Sequence, residues 1–254
     1  MDKRRYMIKY VLFLFLCVFY WSNQNNKLII NDLYTYKKDS LQLKNLHASP
    51  IKNYIEKKIN ANKKIKIICF GNSITNGYKV GKNTTVVNSY PLVLQKLLQK
   101  KYKNDSILVI KEGKNGRRID QALLYLPQII AQKPDVVIIE LGINDAYSNF
   151  SSDFFNEKMA IIVQKLKQKK IEIIIASPTP ILMPYNTKVW EITKGLYQFC
   201  KENKISFVNL YEKVSQLAQQ KNLTMQKILP DNIHFADEYY AYLSAIIFDY
   251  LYEN

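Results

Sequence analysis

The run Ile65-Lys66-Ile67-Ile68-Cys69-Phe70, followed by Gly71-Asn72-Ser73-Ile74-Thr75, decides how this chain folds. A short β-branched, aromatic-tipped apolar run predicts a buried strand over 65–70, and Gly71 punctuates it. A serine handed over at the C-terminal end of a strand lies on the edge where an open α/β sheet places its chemistry. The same serine also suits the N-cap of a following helix. The segments further along the chain decide between these two readings.

Working outward from that strand, apolar runs at 106–110, 135–141, 171–176 and 205–209 alternate with amphipathic stretches near 88–103, 118–131, 153–169, 187–203 and 211–220, and a last helix is expected at 237–252. Continuous apolar strands separated by helices predict a parallel sheet covered on both faces. Right-handed crossovers make a doubly wound sheet the simplest topology. The sequence carries no internal repeat and no sign of a second domain. The lysine-rich stretch Lys165–Lys170 reads as the solvated end of a helix.

Bulk properties narrow the function classes. The apolar fraction is 48%, enough for a sizeable core and outside the disordered class. The net charge of +16 favours anionic partners in principle. The lysines are spread along the whole chain, however, and no nucleic-acid motif accompanies them, so no nucleic-acid partner is expected. The three cysteines, Cys17, Cys69 and Cys200, form no CxxC pair, and the only histidines are His47 and His234. That leaves no basis for a Cys/His zinc site. Cys69 reads as a small hydrophobe in a strand. A Cys69–Cys200 bridge stays open, because sequence does not reveal geometry.

The N-terminus carries Lys3, Arg4, Arg5 and Lys9 before a continuous apolar run, Tyr10 to Trp21. A basic head and a run of that length match a secretory signal, and the run is short for a full span. No A-x-A-like cleavage site follows. With Lys9 snorkelling, Tyr6 to Trp21 would serve as an uncleaved anchor with the rest of the chain outside. Leu16 before Cys17 is too bulky for a lipid-attachment box. Residues 1–22 are therefore expected to be a signal peptide or membrane anchor and 23–63 a polar stalk with a short helix near Ile51–Ile59. Residues 64–254 form the expected catalytic domain. Membrane contact is expected only through residues 6–21, and the location is an exported one in the cell envelope. His47 reads as a solvated loop histidine.

Three more segments follow predicted strands or precede the last helix. Gly113, in Lys111-Glu112-Gly113-Lys114-Asn115-Gly116, permits a tight turn or a close backbone approach to a ligand. Asn144, in Gly142-Ile143-Asn144-Asp145, offers a side-chain amide to a developing oxyanion, though Asn and Asp also favour plain turns. Asp231 and His234, in Asp231-Asn232-Ile233-His234, can share one side of a turn. There the carboxylate would hold the imidazole in the tautomer that takes a proton from serine. With Ser73 these are the parts of acyl transfer.

The order of the four blocks resembles the SGNH (GDSL-type) hydrolase superfamily of esterases and lipases over roughly residues 64–254. Gly71-Asn72-Ser73-Ile74-Thr75 resembles its nucleophile block, Gly113 its oxyanion glycine, Gly142-x-Asn144-Asp145 its asparagine block and Asp231-x-x-His234 its acid–base block. The resemblance implies a three-layer α/β/α sandwich with a five-stranded parallel sheet, flavodoxin-like in order. It also implies a serine mechanism that needs neither metal nor cofactor, with Ser73, Asp231 and His234 catalytic and an oxyanion hole of Ser73, Gly113 and Asn144. Three positions depart from the family pattern: Asn72 stands where aspartate is usual, Lys111 where asparagine is usual, and Phe235 where proline is usual. None removes a chemical group, but Lys111 changes how the Gly113 loop would be held.

For an exported enzyme of this kind the expected substrate is a short-chain, acetyl ester on a carbohydrate. Lysophospholipid or thioester hydrolysis, a catalytically silent glycan-binding protein and acyl transfer within the envelope are the competing readings. Phe150, Phe154, Phe155, Met183, Tyr185 and Trp190 are candidates to line an acyl or sugar site, or else packing residues. Arg117 and Arg118 are candidates to meet an anionic substrate, or else a solvated helix start. The oligomeric state is not readable.

Overall fold

The computed structural model describes residues 45–46, 49–82 and 84–252. The N-terminal signal or anchor, most of the expected stalk and His47 lie outside the described residues. The compact unit that carries the site runs from Asn45 to Asn254 and takes in residues that the sequence assigns to the stalk. The reason is apolar: α1 (Ser49–Asn60) buries Ile51 and Ile55 to 2% and 1% exposure, against strand and helix neighbours of the same unit. A polar composition of the flanking residues had concealed that stripe.

Five parallel strands form one sheet in the order β2-β1-β3-β4-β5: β1 (Ile65–Gly71), β2 (Ile107–Gly113), β3 (Val136–Glu140), β4 (Glu172–Ala176) and β5 (Ser206–Val208). Between them run α2 (Ser73–Asn76), α3 (Tyr90–Tyr102), α4 (Ile119–Ala131), α5 (Ile143–Tyr147), α6 (Ser152–Gln168) and α7 (Asn186–Asn203). After β5 come α8 (Leu210–Gln220), α9 (Met225–Ile228), a 3-10 turn (Asp237–Tyr239) and α10 (Tyr240–Tyr252). One group of helices packs α10 against α1, α3 and α8, and the other packs α6 between α4 and α7. The sheet lies between helical layers, as the alternating sequence pattern implies.

The central strand β3 is buried throughout, while edge strand β2 alternates and leaves Leu108 exposed. Continuous hydrophobicity in the middle and alternation at the edge follow from having two covered faces in one case and a partly solvated one in the other. The short β5 edge is not left bare: Leu46 exchanges two backbone hydrogen bonds of 3.0 Å with Phe207, which protects the edge from pairing with another chain. Cys69 in β1 and Cys200 in α7 are buried free thiols, so the possible bridge between them does not form. Burial pushes the Cys69 thiol up to about 12.

Strand register sets the level of the site. Gly71, the last residue of β1, pairs with Gly113 of β2 on one side and with Glu140 of β3 on the other. The segments after all three strands therefore leave the sheet at one height. The order reverses between β1 and β3, which opens the crevice in which doubly wound sheets bind ligands.

Candidate active site

Ser73 opens α2 directly after β1. Asn72 is the N-cap, and its Oδ1 accepts the Ile74 N–H at 2.7 Å. Glu140, fully buried beneath this turn, accepts from Asn72 Nδ2 at 3.3 Å and from Thr75 Oγ1 at 3.2 Å. Thr75 in turn lies 3.0 Å from the hydroxyl of buried Tyr90. Ser73 is thus flanked by two side chains anchored to one carboxyl group. Burial pushes that carboxyl up to about 8, more strongly than the bonds from Thr75 and Asn72 lower it. Asn72 suits this neighbour: an amide donates to the carboxyl, where an ionised aspartate would bring a second negative charge to it.

The acid–base loop folds over the nucleophile from the other end of the chain. His234 Nε2 lies 2.8 Å from Ser73 Oγ, and Nδ1 lies 2.7 Å from Asp231 Oδ2. Asp231 Oδ1 also accepts the backbone N–H groups of Ile233 and His234 at 3.0 and 2.7 Å. Burial raises the Asp231 carboxyl, but the bonds from His234 and Ile233 outweigh it and hold it below the ordinary value. The Tyr78 ring packs at 4.4 Å on the imidazole. The loop itself is pinned by Leu182 N–H to Asn232 O at 2.9 Å and by Ala236 N–H to Ile228 O at 2.9 Å. Phe235, at the departing proline position, is fully buried against Tyr240 and anchors the loop by packing.

Gly113 ends β2 against the turn that follows Ser73. A Cβ there would lie 2.1 Å from Asn76 N and 2.6 Å from Asn76 Cα, both backbone, so only glycine permits this approach. Lys111 replaces the usual asparagine with a different tie: its Nζ donates to Asn76 O at 2.9 Å. Asn144 lies in the first turn of α5 and donates through Nδ2 to Arg117 O at 3.1 Å. Its neighbour Asp145 is fully buried and accepts the Ile119 N–H at 2.8 Å, which fixes the start of α4. Burial pushes Asp145 up to about 7. The structure thus brings Ser73, Asp231 and His234 into one hydrogen-bonded chain. Gly113 and Asn144 stand on the flanking strand ends.

The other candidates divide. Phe155 is buried core, and Trp190 packs at a tilt on Tyr211 with ring centroids 5.2 Å apart. Phe150 and Phe154 pack edge to face at 4.8 Å. Met183 and Tyr185 remain exposed, and Tyr185 packs at 4.2 Å on Tyr147, which follows Asn144 on α5. Arg118 pairs with Asp120 at 3.0 Å. Arg117 is neither a solvated helix start nor open to a substrate, since it is 4% exposed. Sequence reasoning missed Glu140, Tyr78 and the role of Asp145. For Glu140 a signal existed: a lone carboxylate closes the otherwise apolar run Val136-Val137-Ile138-Ile139. Among the described residues, no three His, Cys, Asp or Glu side chains converge as a metal site requires.

The chain belongs to the GDSL-like lipase/acylhydrolase family, whose model matches residues 69–242. Its relatives include an acetylxylan esterase from Geobacillus stearothermophilus, 32% identical over 99 residues that span 37% of this chain and 45% of the relative. An arylesterase from Vibrio mimicus is 25% identical over 111 residues, 43% of this chain and 52% of the relative. The chain therefore spans about half the length of the curated relatives it matches. Among solved structures, a lipase/acylhydrolase from Enterococcus faecalis superposes with a TM-score of 0.61 at 24% identity, covering 72% of this chain and 93% of that one. An acetylxylan esterase from Geobacillus stearothermophilus superposes with a TM-score of 0.65 at 21% identity, covering 74% and 94%. These structures share the α/β fold.

Proposed function

We propose that this protein is a carboxylic ester hydrolase that works through Ser73, His234 and Asp231 on acetyl esters of carbohydrates. The observation that carries the reading is the hydrogen-bonded chain from Ser73 Oγ to His234 Nε2 at 2.8 Å and from His234 Nδ1 to Asp231 Oδ2 at 2.7 Å. Ser73 Oγ attacks the ester carbonyl while His234 Nε2 takes its proton. His234 then protonates the departing alcohol, and an acyl group remains on Ser73. Water, activated by the same imidazole, releases the acid. Asp231 orients the ring and stabilises the imidazolium. The N–H groups of Ser73 and Gly113 and the Asn144 amide receive the oxyanion charge.

The acetyl–carbohydrate part of the reading is supported by the acetylxylan esterase relative. An exported, envelope location is inferred from the basic head and apolar run of residues 3–21; fractionation of expressing cells, with the protein found in the cytosol, would sink it. The activity is tested with the full chain on p-nitrophenyl acetate, p-nitrophenyl octanoate and acetylated xylooligosaccharides, alongside fluorophosphonate labelling. Turnover and labelling that disappear in Ser73→Ala are expected, with acetate preferred over octanoate. Octanoate preference would replace the carbohydrate reading by a lipid one, and a folded protein that neither turns over nor labels would end the hydrolase reading.

A further inference from the structure

Arg117 is a buried cation whose nearest partners are backbone carbonyls. Its Nη1 donates to Gly71 O at 3.0 Å and to Glu112 O at 2.6 Å. One nitrogen thus straddles the C-terminal ends of two neighbouring strands. Gly71 lies two residues before Ser73, and Glu112 lies directly before Gly113. The guanidinium lies against the rings of Phe70 and Tyr125, 4.8 Å from each, and the two rings stack on one another at 6.3 Å. Among the described residues, no carboxylate lies within ion-pair distance of it. The main chain of Arg117 completes the arrangement: its N–H donates to Lys114 O at 3.1 Å, closing the turn after Gly113, and its carbonyl accepts from Asn144 Nδ2 at 3.1 Å.

Burying a guanidinium costs several kcal/mol unless its donors are satisfied, so such a group is not retained as a passive filler. Here every tie leads to a segment that carries a candidate oxyanion donor. We propose that Arg117 is the positioning residue of the oxyanion site, spacing the Ser73 and Gly113 N–H groups through the ends of β1 and β2 and orienting the Asn144 amide through its own carbonyl. This rests on the serine-esterase reading above. A planar, two-hydrogen nitrogen held against aromatic rings can hold two carbonyls at a set spacing; a lysine ammonium is a point charge without that plane.

The test is a kinetic cycle in the full chain with p-nitrophenyl acetate: wild type, Arg117→Met, Arg117→Lys, Asn144→Ala and both Arg117 variants combined with Asn144→Ala. Arg117→Met keeps length beside the rings but loses the donors, and its kcat is expected to fall about 10²-fold with KM nearly unchanged, the effect of roughly 1 Å of misplacement. Arg117→Lys should recover part of the loss. On the Asn144→Ala background either Arg117 change should cost several-fold less than on wild type, because residues that act through one another are not additive. A merely structural role would lower the melting temperature and leave these ratios alone. Wild-type kcat in folded Arg117→Met, or full additivity with Asn144→Ala, overturns the proposal. Should Arg117→Met not fold, the Arg117→Lys cycle decides by the same additivity criterion. Ester turnover lost in Ser73→Ala marks the serine-esterase reading as sound. Absence of any wild-type turnover overturns that reading and this proposal together, whereas turnover insensitive to Arg117 overturns this one alone.

Discussion

The C-terminal edge of the sheet is built in two different ways. On the side of β2, β1 and β3, the strand ends carry buried charges or potential charges: Arg117, Glu140 and Asp145 are 4%, 0% and 0% exposed. Arg117 and Glu140 are tied to groups close to Ser73 in the chain, and Asp145, next to Asn144, is tied to the first N–H of α4. On the side of β4 and β5 the equivalent ground is a proline-containing loop, from Ser177 to Tyr185, with Met183 53% exposed. Its side-chain ties are structural, such as Ser177 Oγ accepting the Tyr211 N–H at 2.9 Å, and one backbone bond, Leu182 N–H to Asn232 O, reaches the acid–base loop. The first side accepts the cost of desolvating polar groups and gains fixed geometry. The second buries only neutral hydroxyls, those of Ser177 and Thr179, and leaves Met183 and Tyr185 exposed. Placement of Ser73, Gly113 and Asn144 thus rests on the rigid half, and tolerance toward a substrate rests on the exposed end of the open half.

That contrast can be broken most severely at its centre. Ser73→Ala should lower kcat by at least about 10⁴-fold and abolish fluorophosphonate labelling, and Asp231→Asn should cost about 10⁴-fold by leaving His234 without its acceptor. Both are read by steady-state hydrolysis of p-nitrophenyl acetate. Asn144→Ala should lower kcat by about 10²–10³-fold while KM holds; wild-type turnover in that variant would remove Asn144 from the oxyanion site. Gly113→Ala forces its new methyl group into the Asn76 backbone, and kcat should fall about 10²-fold as the two strand ends move apart.

The rigid half also has a pH signature. The Glu140 carboxyl, raised by burial to about 8 from 4.5, keeps its proton in the folded state where the unfolded chain has lost it. Its contribution to stability is fully present below pH 4.5 and is lost as pH rises through about 8. Glu140→Gln imitates the protonated form and still offers a donor and an acceptor to Thr75 and Asn72. Melting temperatures measured from pH 5 to 9 should therefore fall less steeply in Glu140→Gln than in wild type; equal slopes would assign the pH response elsewhere, with Asp145 the next group to test. The open half should respond least. Met183→Ser should change stability by no more than about 0.5 kcal/mol, since the side chain is half exposed and unpartnered in the rigid network. A larger loss by thermal melting would erase the distinction between the halves.

Much of this was legible without three dimensions. The strand expected at 65–70 is observed at Ile65–Gly71, and the helix expected at 187–203 at Asn186–Asn203. Both rest on local periodicity, which neighbouring residues alone set. The first helix was only half legible: its two buried isoleucines sit in a lysine-rich stretch that reads as a stalk, and what makes them core is a surface supplied by α10 and β1. Arg117 shows the sharper limit. By residue type and position it suits a solvated helix start, and only the rings of Phe70 and Tyr125, brought together by β1 and α4, turn it into a buried cation.

By itself the sequence determined the order of strands and helices and the four blocks that hold the candidate reacting groups, because residue type and periodicity are local properties of the chain. Tertiary structure decided the rest. Ser73 and His234 are 161 positions apart, and Thr75 meets Glu140 across 65. Which groups are desolvated, and which partners then satisfy them, depends on neighbours that only the closed sheet and its crossovers bring within hydrogen-bond reach.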